Sequence, residues 1–381
     1  MRFSWSLLLL FLWGYRSLYS YVGQAVVANL TTLGDSSKFQ RAELTERGIN
    51  LAAAATDVIG VRSVSTVLTE YIGAGFARIF FGSPVLVNIG FQTIAFVGIA
   101  AFLMSLRPQH RLIAAGFIVL PSFTLWSSIA SKEAIVVFAV GLICAHVVKQ
   151  LRREKRSLLL LMIGLGVIAI YKNHYIPALL FTIVGIAVAR HVRQAHFLAL
   201  LGIVVSMVPL YFLKDRLAAQ ALAILPHFLN VGDVGGRLTR EAFWQSPDEV
   251  FLKAAEGMAL SFFGPTLEEA RVGLLQAASF MESSFLVGAL LIIAFWRLPR
   301  VPLFFLFLGL GTVFWILFAN YPFGVMNAGG AIRYRTGYEL IVILVIVVIF
   351  SRHTYLAWRL PSVRVAGPEA HRPAISSGAV P

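Results

Sequence analysis

"VPLFFLFLGLGTVFWILFA", residues 301–319, holds no charged residue. Wound as a helix at ~1.5 Å per residue it reaches about 28 Å, close to the ~30 Å hydrocarbon core of a bilayer. A short polar stretch follows, "NAGGAIRYRTGYE" (327–339), and then a second apolar run, "LIVILVIVVIF" (340–350). The pattern of apolar runs cut by short polar links repeats along the chain. Of 381 residues, 58% are hydrophobic and 13% charged, against about a quarter charged in a soluble domain. The fold expected is all-α: a polytopic transmembrane helical bundle of about ten spans.

The spans fall at approximately 3–29, 85–105, 112–130, 134–148, 157–171, 175–189, 197–213, 283–296, 302–319 and 339–350. Residues 1–350 read as a single transmembrane domain interrupted by long hydrophilic loops at about 30–84 and 214–282. Residues 351–381 form a basic tail, expected to be partly disordered. No internal repeat is visible, and the N-terminus reads as a retained first span rather than a cleaved signal.

The net charge of +14 raises nucleic acid as a partner, but its placement argues against that. Basic residues cluster in short links: "RPQHR" (107–111), "KQLRREKR" (149–156), "RHVRQAH" (190–196) and "RLPR" (297–300). That is how the positive-inside rule marks cytoplasmic loops. Threading with both termini in the cytoplasm puts all four links and the tail inside. Of eighteen acidic residues only Glu154 and Glu369 then fall inside. The location expected is a bacterial inner membrane, with membrane lipids as surroundings. The single cysteine, Cys144, lies in an apolar run and reads as a packing residue, so no intramolecular disulfide is possible. Arg16, inside span one, needs an acid or a carbonyl across the bundle. "NLT" (29–31) matches a glycosylation sequon of a kind frequent by chance.

Chemistry is therefore sought at the outer face. Asp35 follows span one; Lys132 and Glu133 lie in "SSIASKEAI" (127–135), Lys172 and His174 in "YKNHYIP" (171–177), and Arg333, Tyr334 and Arg335 in the opening polar stretch. Ionisable groups at membrane depth are costly and tend to face cavities and partners. Interfacial snorkelling at span ends is the plainer alternative. Held in an extended segment, Arg333 and Arg335 at i and i+2 share one face and suit a phosphate, because guanidinium donates two hydrogen bonds and stays charged. "AELTERGINLAAAATDVI" (42–59), "SVSTVLTEYIGAGFARIFF" (63–81) and the loop around "REAFWQSPDEVFLKAAEGMALSFFG" (240–264) have helical amphipathic spacing. Such helices lie at the interface, roofing a cavity or padding the bundle.

Four segments carry a resemblance. Asp35 followed by "SSKFQRA" resembles the first-loop Asp-Ser pattern of bacterial GT-C-type membrane glycosyltransferases, with Phe39 where tyrosine is frequent. "LPSFTLWSSIASKEAI" (120–135), "FFGPTLEEARVGLLQAASFMESSF" (262–285, with Glu282) and "AIRYR" (331–335) resemble, in order, segments of polysaccharide polymerase-like proteins of the same group. The resemblance implies a sugar donor carried on polyprenyl phosphate or pyrophosphate and a glycan or lipid acceptor at the extracytoplasmic face. Asp35 would be the general base, or else an N-cap for a helix from Ser36. Arg333, Tyr334, Arg335, Lys132, Glu133, Lys172, His174 and Glu282 would contact substrate, with a structural role for His174 equally open. No cofactor is assigned, and a divalent metal is left open. Some GT-C enzymes hold a divalent metal at the first-loop carboxylate, which here needs a second ligand such as Glu133. A flippase for lipid-linked sugars, or a non-catalytic scaffold of a polysaccharide assembly complex, are the alternative readings.

Overall fold

A computed structural model describes residues 5–28, 36–40, 63–152, 154–155, 157–189, 192, 194–229, 240, 243–297, 301–326 and 328–349. Among the described residues the regular structure is helical and no strand occurs. The helices are α1 (Trp5–Val22), continuing into a π turn at Gly23–Val27, α2 (Ser36–Gln40), α3 (Val64–Ile79), α4 (Pro84–Ser105), α5 (Pro108–Ile118) and α6 (Pro121–Trp126). There follow α7 (Lys132–Leu151), α8 (Leu158–Tyr171), a 3-10 turn (Asn173–Tyr175), α9 (Ile176–Ala189) and α10 (Ala195–Leu229). The chain continues through α11 (Glu249–Leu252), α12 (Ala254–Phe263), α13 (Leu267–Ala270), α14 (Leu274–Arg297), α15 (Leu303–Gly324) and α16 (Ala328–Ile349). Five stretches are long and apolar enough to cross a membrane: Pro84–Ser105, Lys132–Leu151, Ala195–Ala223, Gln276–Ile293 and Leu303–Gly324. Leu158–Tyr171 and Asn173–Val188 are apolar but shorter.

The axis of the bundle is α7, 89% of whose apolar window is buried. It packs on α4, α8 and α16. Two glycines let α4 and α7 touch through their backbones. A Cβ on Gly98 would lie 2.4 Å from the Phe138 carbonyl oxygen, and one on Gly141 would lie 2.4 Å from the carbonyl carbon of Gly98. Close approach through small residues is how helices gain packing contact where lipid removes the hydrophobic drive to associate. By contrast α10 lies at the periphery: its apolar window is 6% buried, and Leu201, Val204, Val205 and Val208 are exposed. On a chain of this composition such a face contacts acyl chains.

Four spans differ from the sequence expectation. The one placed at 112–130 is two short helices, Pro108–Ile118 and Pro121–Trp126, divided before Pro121, which has no amide hydrogen to continue the first. The span placed at 197–213 belongs to a 35-residue helix, Ala195–Leu229, which at ~1.5 Å per residue is about 52 Å long and outreaches the hydrocarbon core. The span placed at 283–296 begins at Leu274, and the one placed at 339–350 begins at Ala328. In these last three, polar residues inside a helix lower local hydropathy without ending the helix. The amphipathic stretch 63–81 is helical over Val64–Ile79, whereas 42–59 lies outside the described residues.

Hydrogen bonds define two ends of the bundle. At one end Asn88, near the start of α4, accepts from the Ala130 amide (2.8 Å) and from Gln40 of α2 (2.9 Å), and donates to the Ser20 carbonyl of α1 (3.3 Å). At the other, Arg152 just past α7 donates to the Ser105 carbonyl of α4 (2.7 Å). So α4 and α7 run in the same direction and α1 runs against them. Twenty residues of α7 separate the two ends by about 30 Å, one hydrocarbon thickness. Arg16 is fully buried. Its Nη2 donates to the Ser127 carbonyl (3.0 Å) and hydroxyl (2.9 Å), so the partner the sequence required is a carbonyl.

Candidate functional site

Polar side chains from four elements meet at the Asn88 end. Ser131 caps α7, its hydroxyl accepting from the Ala134 amide (3.2 Å), and the first turn beyond it carries Lys132 and Glu133. The break between α8 and α9 supplies Lys172 and His174. The first turns of α16 supply Arg333 and Tyr334, and the start of α3 supplies Ser63 and Thr66.

Glu133, 1% exposed, is the centre. Arg333 Nε lies 3.1 Å from its Oε1, and the Arg333 guanidinium also sits 5.8 Å from the centre of the Trp126 ring. Lys172 is buried, with Nζ 4.2 Å from the centre of the Tyr334 ring and 5.8 Å from that of Phe323. Its charge acts on Glu133 and on Arg333, and Lys132 acts on it in turn. Burial pushes the Lys172 ammonium down to about 8, against the pull of Glu133 in the other direction. Lys132 Nζ donates to Thr66 Oγ1 (2.6 Å) and Ser63 Oγ (3.3 Å). His174 stacks on Phe323, centroids 5.2 Å apart. Beneath it Tyr175 donates to Asn320 Oδ1 (2.9 Å). Two cations thus act on one carboxylate, with a third, Lys132, beside Lys172, a charge pattern suited to an anion.

The two arginines do not share a face. Both lie in the opening turns of α16, not in an extended segment, and helical residues two apart point about 200° from one another. Arg335 points inward and is 0% exposed. Its Nη1 donates to Ser283 Oγ (2.9 Å) and the Phe262 carbonyl (3.2 Å). Its Nη2 donates to Ser122 Oγ (2.8 Å) and Glu282 Oε1 (3.2 Å). Glu339 Oε2 lies 3.8 Å from its Nε. Glu282, expected in a loop, is inside α14, and its carboxylate accepts from the Ser122 amide (2.8 Å) and the Ser122 hydroxyl. Arg335 and Glu282 therefore tie α6, α12, α14 and α16 together, away from Glu133 and Lys172.

Asp35 lies outside the described residues. The residue after it, Ser36, donates to the Ala130 carbonyl (2.6 Å), two positions before Lys132, so α2 docks beside the start of α7. Asp35, the carboxylate expected to ligate a divalent ion, is therefore not placed against the described residues. They hold no group of three or more His, Cys, Asp or Glu side chains, and Glu133 is already flanked by cations. Sequence reasoning missed Trp126, Thr66 and Phe323, which carry no charge and resemble the many other aromatic and hydroxyl residues at helix ends.

The loop expected at 214–282 supplies a second polar lock. Arg240 holds Glu269 with two parallel bonds (2.7 and 2.9 Å) and donates to the Gly264 (2.7 Å) and Val325 (3.1 Å) carbonyls. Burial raises the Glu269 carboxyl, but the Arg240 guanidinium and the Thr266 amide outweigh it and hold the group below the usual carboxylate range. Trp244, Val250, Tyr321, Val325 and Met326 form a small core under this lock. Compared with known proteins, the chain matches no family model, no curated protein and no solved structure.

Proposed function

We propose that the chain is a membrane glycosyltransferase or polymerase of GT-C-like, ten-span architecture in a bacterial inner membrane. It takes a sugar from a polyprenyl-phosphate or polyprenyl-pyrophosphate donor to an envelope glycan or lipid acceptor at the extracytoplasmic face. The observation that supports this reading is the convergence of Arg333 and Lys172, from two separate elements, on Glu133 of a third, with Lys132 beside Lys172, at one end of an apolar bundle. A lipid-linked donor has its chain in hydrocarbon and its anionic head at that level.

In this reading Arg333 and Lys172 hold the donor phosphate, and Lys132 adds charge beside them. Glu133 orients Arg333. The acceptor hydroxyl attacks the anomeric carbon while Asp35, as general base, takes its proton. The bond from the anomeric carbon to the phosphate oxygen breaks, and its electron pair leaves with the phosphate. Cations fixed in advance lower the cost of that developing charge. Arg335 and Glu282 hold the helices that carry the site.

The test is deletion in the host, complementation with wild type, Asp35→Asn and Arg333→Ala, and analysis of envelope glycan and lipid-linked intermediates. A transferase requires outer-leaflet intermediates to accumulate in the deletion and in both variants. Accumulation confined to the inner leaflet would identify a flippase instead. Full complementation by both variants would leave only a scaffold.

A further inference from the structure

The end of the bundle opposite the candidate site has a geometry of its own. Arg111 of α5 lays its guanidinium 4.7 Å from the centre of the Trp5 ring at the start of α1. The same side chain donates from Nε to the Leu106 carbonyl (2.9 Å) and from Nη2 to the Met104 carbonyl (3.0 Å). Arg152 reaches the carbonyl between those two, Ser105. Two guanidiniums from different helices thus close over the C-terminus of α4, where the helix dipole favours cations. They are near enough to repel one another. Arg152 is paired with Glu154, and no other carboxylate is paired there among the described residues.

The neighbouring surface is apolar. Met104, whose carbonyl Arg111 caps, and Leu112, the next residue on α5, are each more than half exposed. This end lies one hydrocarbon thickness from the Glu133 end, at headgroup level. An indole and a guanidinium there, beside exposed apolar side chains, match a ligand with a phosphodiester above and acyl chains below.

We infer that Trp5, Arg111 and Arg152 form a binding site for an anionic phospholipid, with the phosphodiester on Arg111 and the acyl chains against Met104 and Leu112. The capping bonds fix Arg111 and leave its Nη1 for the phosphate oxygens. The site is independent of the transferase reading: it uses none of the same residues and lies at the other end.

The experiment uses the full chain in nanodiscs of phosphatidylcholine, or of an equal mixture with phosphatidylglycerol, and reads co-purifying lipid by native mass spectrometry. Wild type is expected to retain phosphatidylglycerol over phosphatidylcholine. Arg111→Gln should lose about fivefold of that preference, the weight of one surface arginine on an anionic membrane. Because Arg111 also caps α4, Trp5→Leu is measured beside it. It leaves the caps intact and should weaken the preference by a smaller factor. Lys214→Gln in α10 serves as a control and should change nothing. Equal retention of the two lipids by wild type, or an unaltered preference in both Arg111→Gln and Trp5→Leu, would overturn the site. So would inorganic phosphate displacing the retained phosphatidylglycerol, since that would mean an anion site with no need of acyl chains.

Discussion

Replacing Arg335 with methionine should damage the fold far more than the same change at Arg333, although the two residues stand two apart in one sequence motif. Arg335 is fully buried and donates to groups on α6, α12 and α14. Methionine is similar in length and apolar, so little volume is lost. What is lost is the cation beside Glu282 and Glu339. Breaking a buried pair by removing one partner typically costs about 3–5 kcal/mol, because the other charge stays behind without compensation. Glu282 keeps its bonds from Ser122, which places the expected loss toward the lower end. Arg333→Met also strips a cation from a buried carboxylate, but Lys172 still acts on Glu133, so the loss there should be smaller.

The molecule carries its own reporter. Cys144 is the only cysteine in the sequence and is 1% exposed, in the middle of α7. A thiol-reactive fluorophore labels it only when the bundle opens, so labelling against temperature follows unfolding without any introduced probe. The expected order of midpoints is wild type, then Arg333→Met, then Arg335→Met well below both. If Arg335→Met unfolds at or above Arg333→Met, the inward lock is not what holds α16 in place, and the division of labour between the two arginines fails.

Three further outcomes follow from the geometry. Affinity for a polyprenyl phosphate should fall as pH rises through about 8, where the Lys172 ammonium loses its proton, and Lys172→Met should flatten that dependence in a binding titration between pH 7 and 9.5. For the same group the folded value lies below the ordinary 10.5, so its contribution to stability rises with pH between about 8 and 10.5. Gly141→Val should lower the labelling midpoint by the equivalent of at least about 1–3 kcal/mol, since the Gly98 backbone it meets belongs to another helix. Gly166→Ala, with no atom within 4 Å of the new Cβ, should not lower it. Arg240→Ala should raise hydrogen exchange across 243–273. In wild type the same loosening should appear as pH falls through the depressed Glu269 value, because stabilisation from a lowered carboxylate is present above its ordinary value and lost below.

What the sequence made legible is what composition and spacing determine. Uncharged runs gave helices, and the apolar-polar spacing of 63–81 gave α3. Arg16 demanded a partner and found a carbonyl on Ser127. The polar links led to side chains that do gather, since Lys132, Glu133, Lys172 and Arg333 come from different helix ends and meet. Helix bounds failed where tertiary contacts satisfy charged residues inside a helix. Arg333, Arg335 and Glu339 lower the hydropathy of 328–339, yet the two arginines have partners on other helices and Glu339 lies 3.8 Å from Arg335, so the helix begins eleven residues before the apolar run suggests. The extended reading of "RYR" failed for the same reason: two flanking glycines argue locally for a loop, and the packing of α16 against α7 and α15 overrides them.

The helical setting of that motif gives it a role that an extended one does not. On a strand, residues at i and i+2 act on one target. On a helix they face nearly opposite ways, so Arg335 anchors to Ser122, Glu282 and Ser283 while Arg333 faces Glu133 and Trp126. The inward bonds fix the rotation of α16 about its axis, and that rotation sets where Arg333 and Tyr334 point. Tyr334 in turn carries the ring over which Lys172 sits. A shift of one residue in register would turn α16 by about 100°, removing the guanidinium from Glu133 and the ring from Lys172. The lock and the cationic cluster are therefore one device: four polar bonds made by a buried arginine hold Arg333 and Tyr334 in register, and the charge cluster at Glu133 depends on a contact that touches none of it.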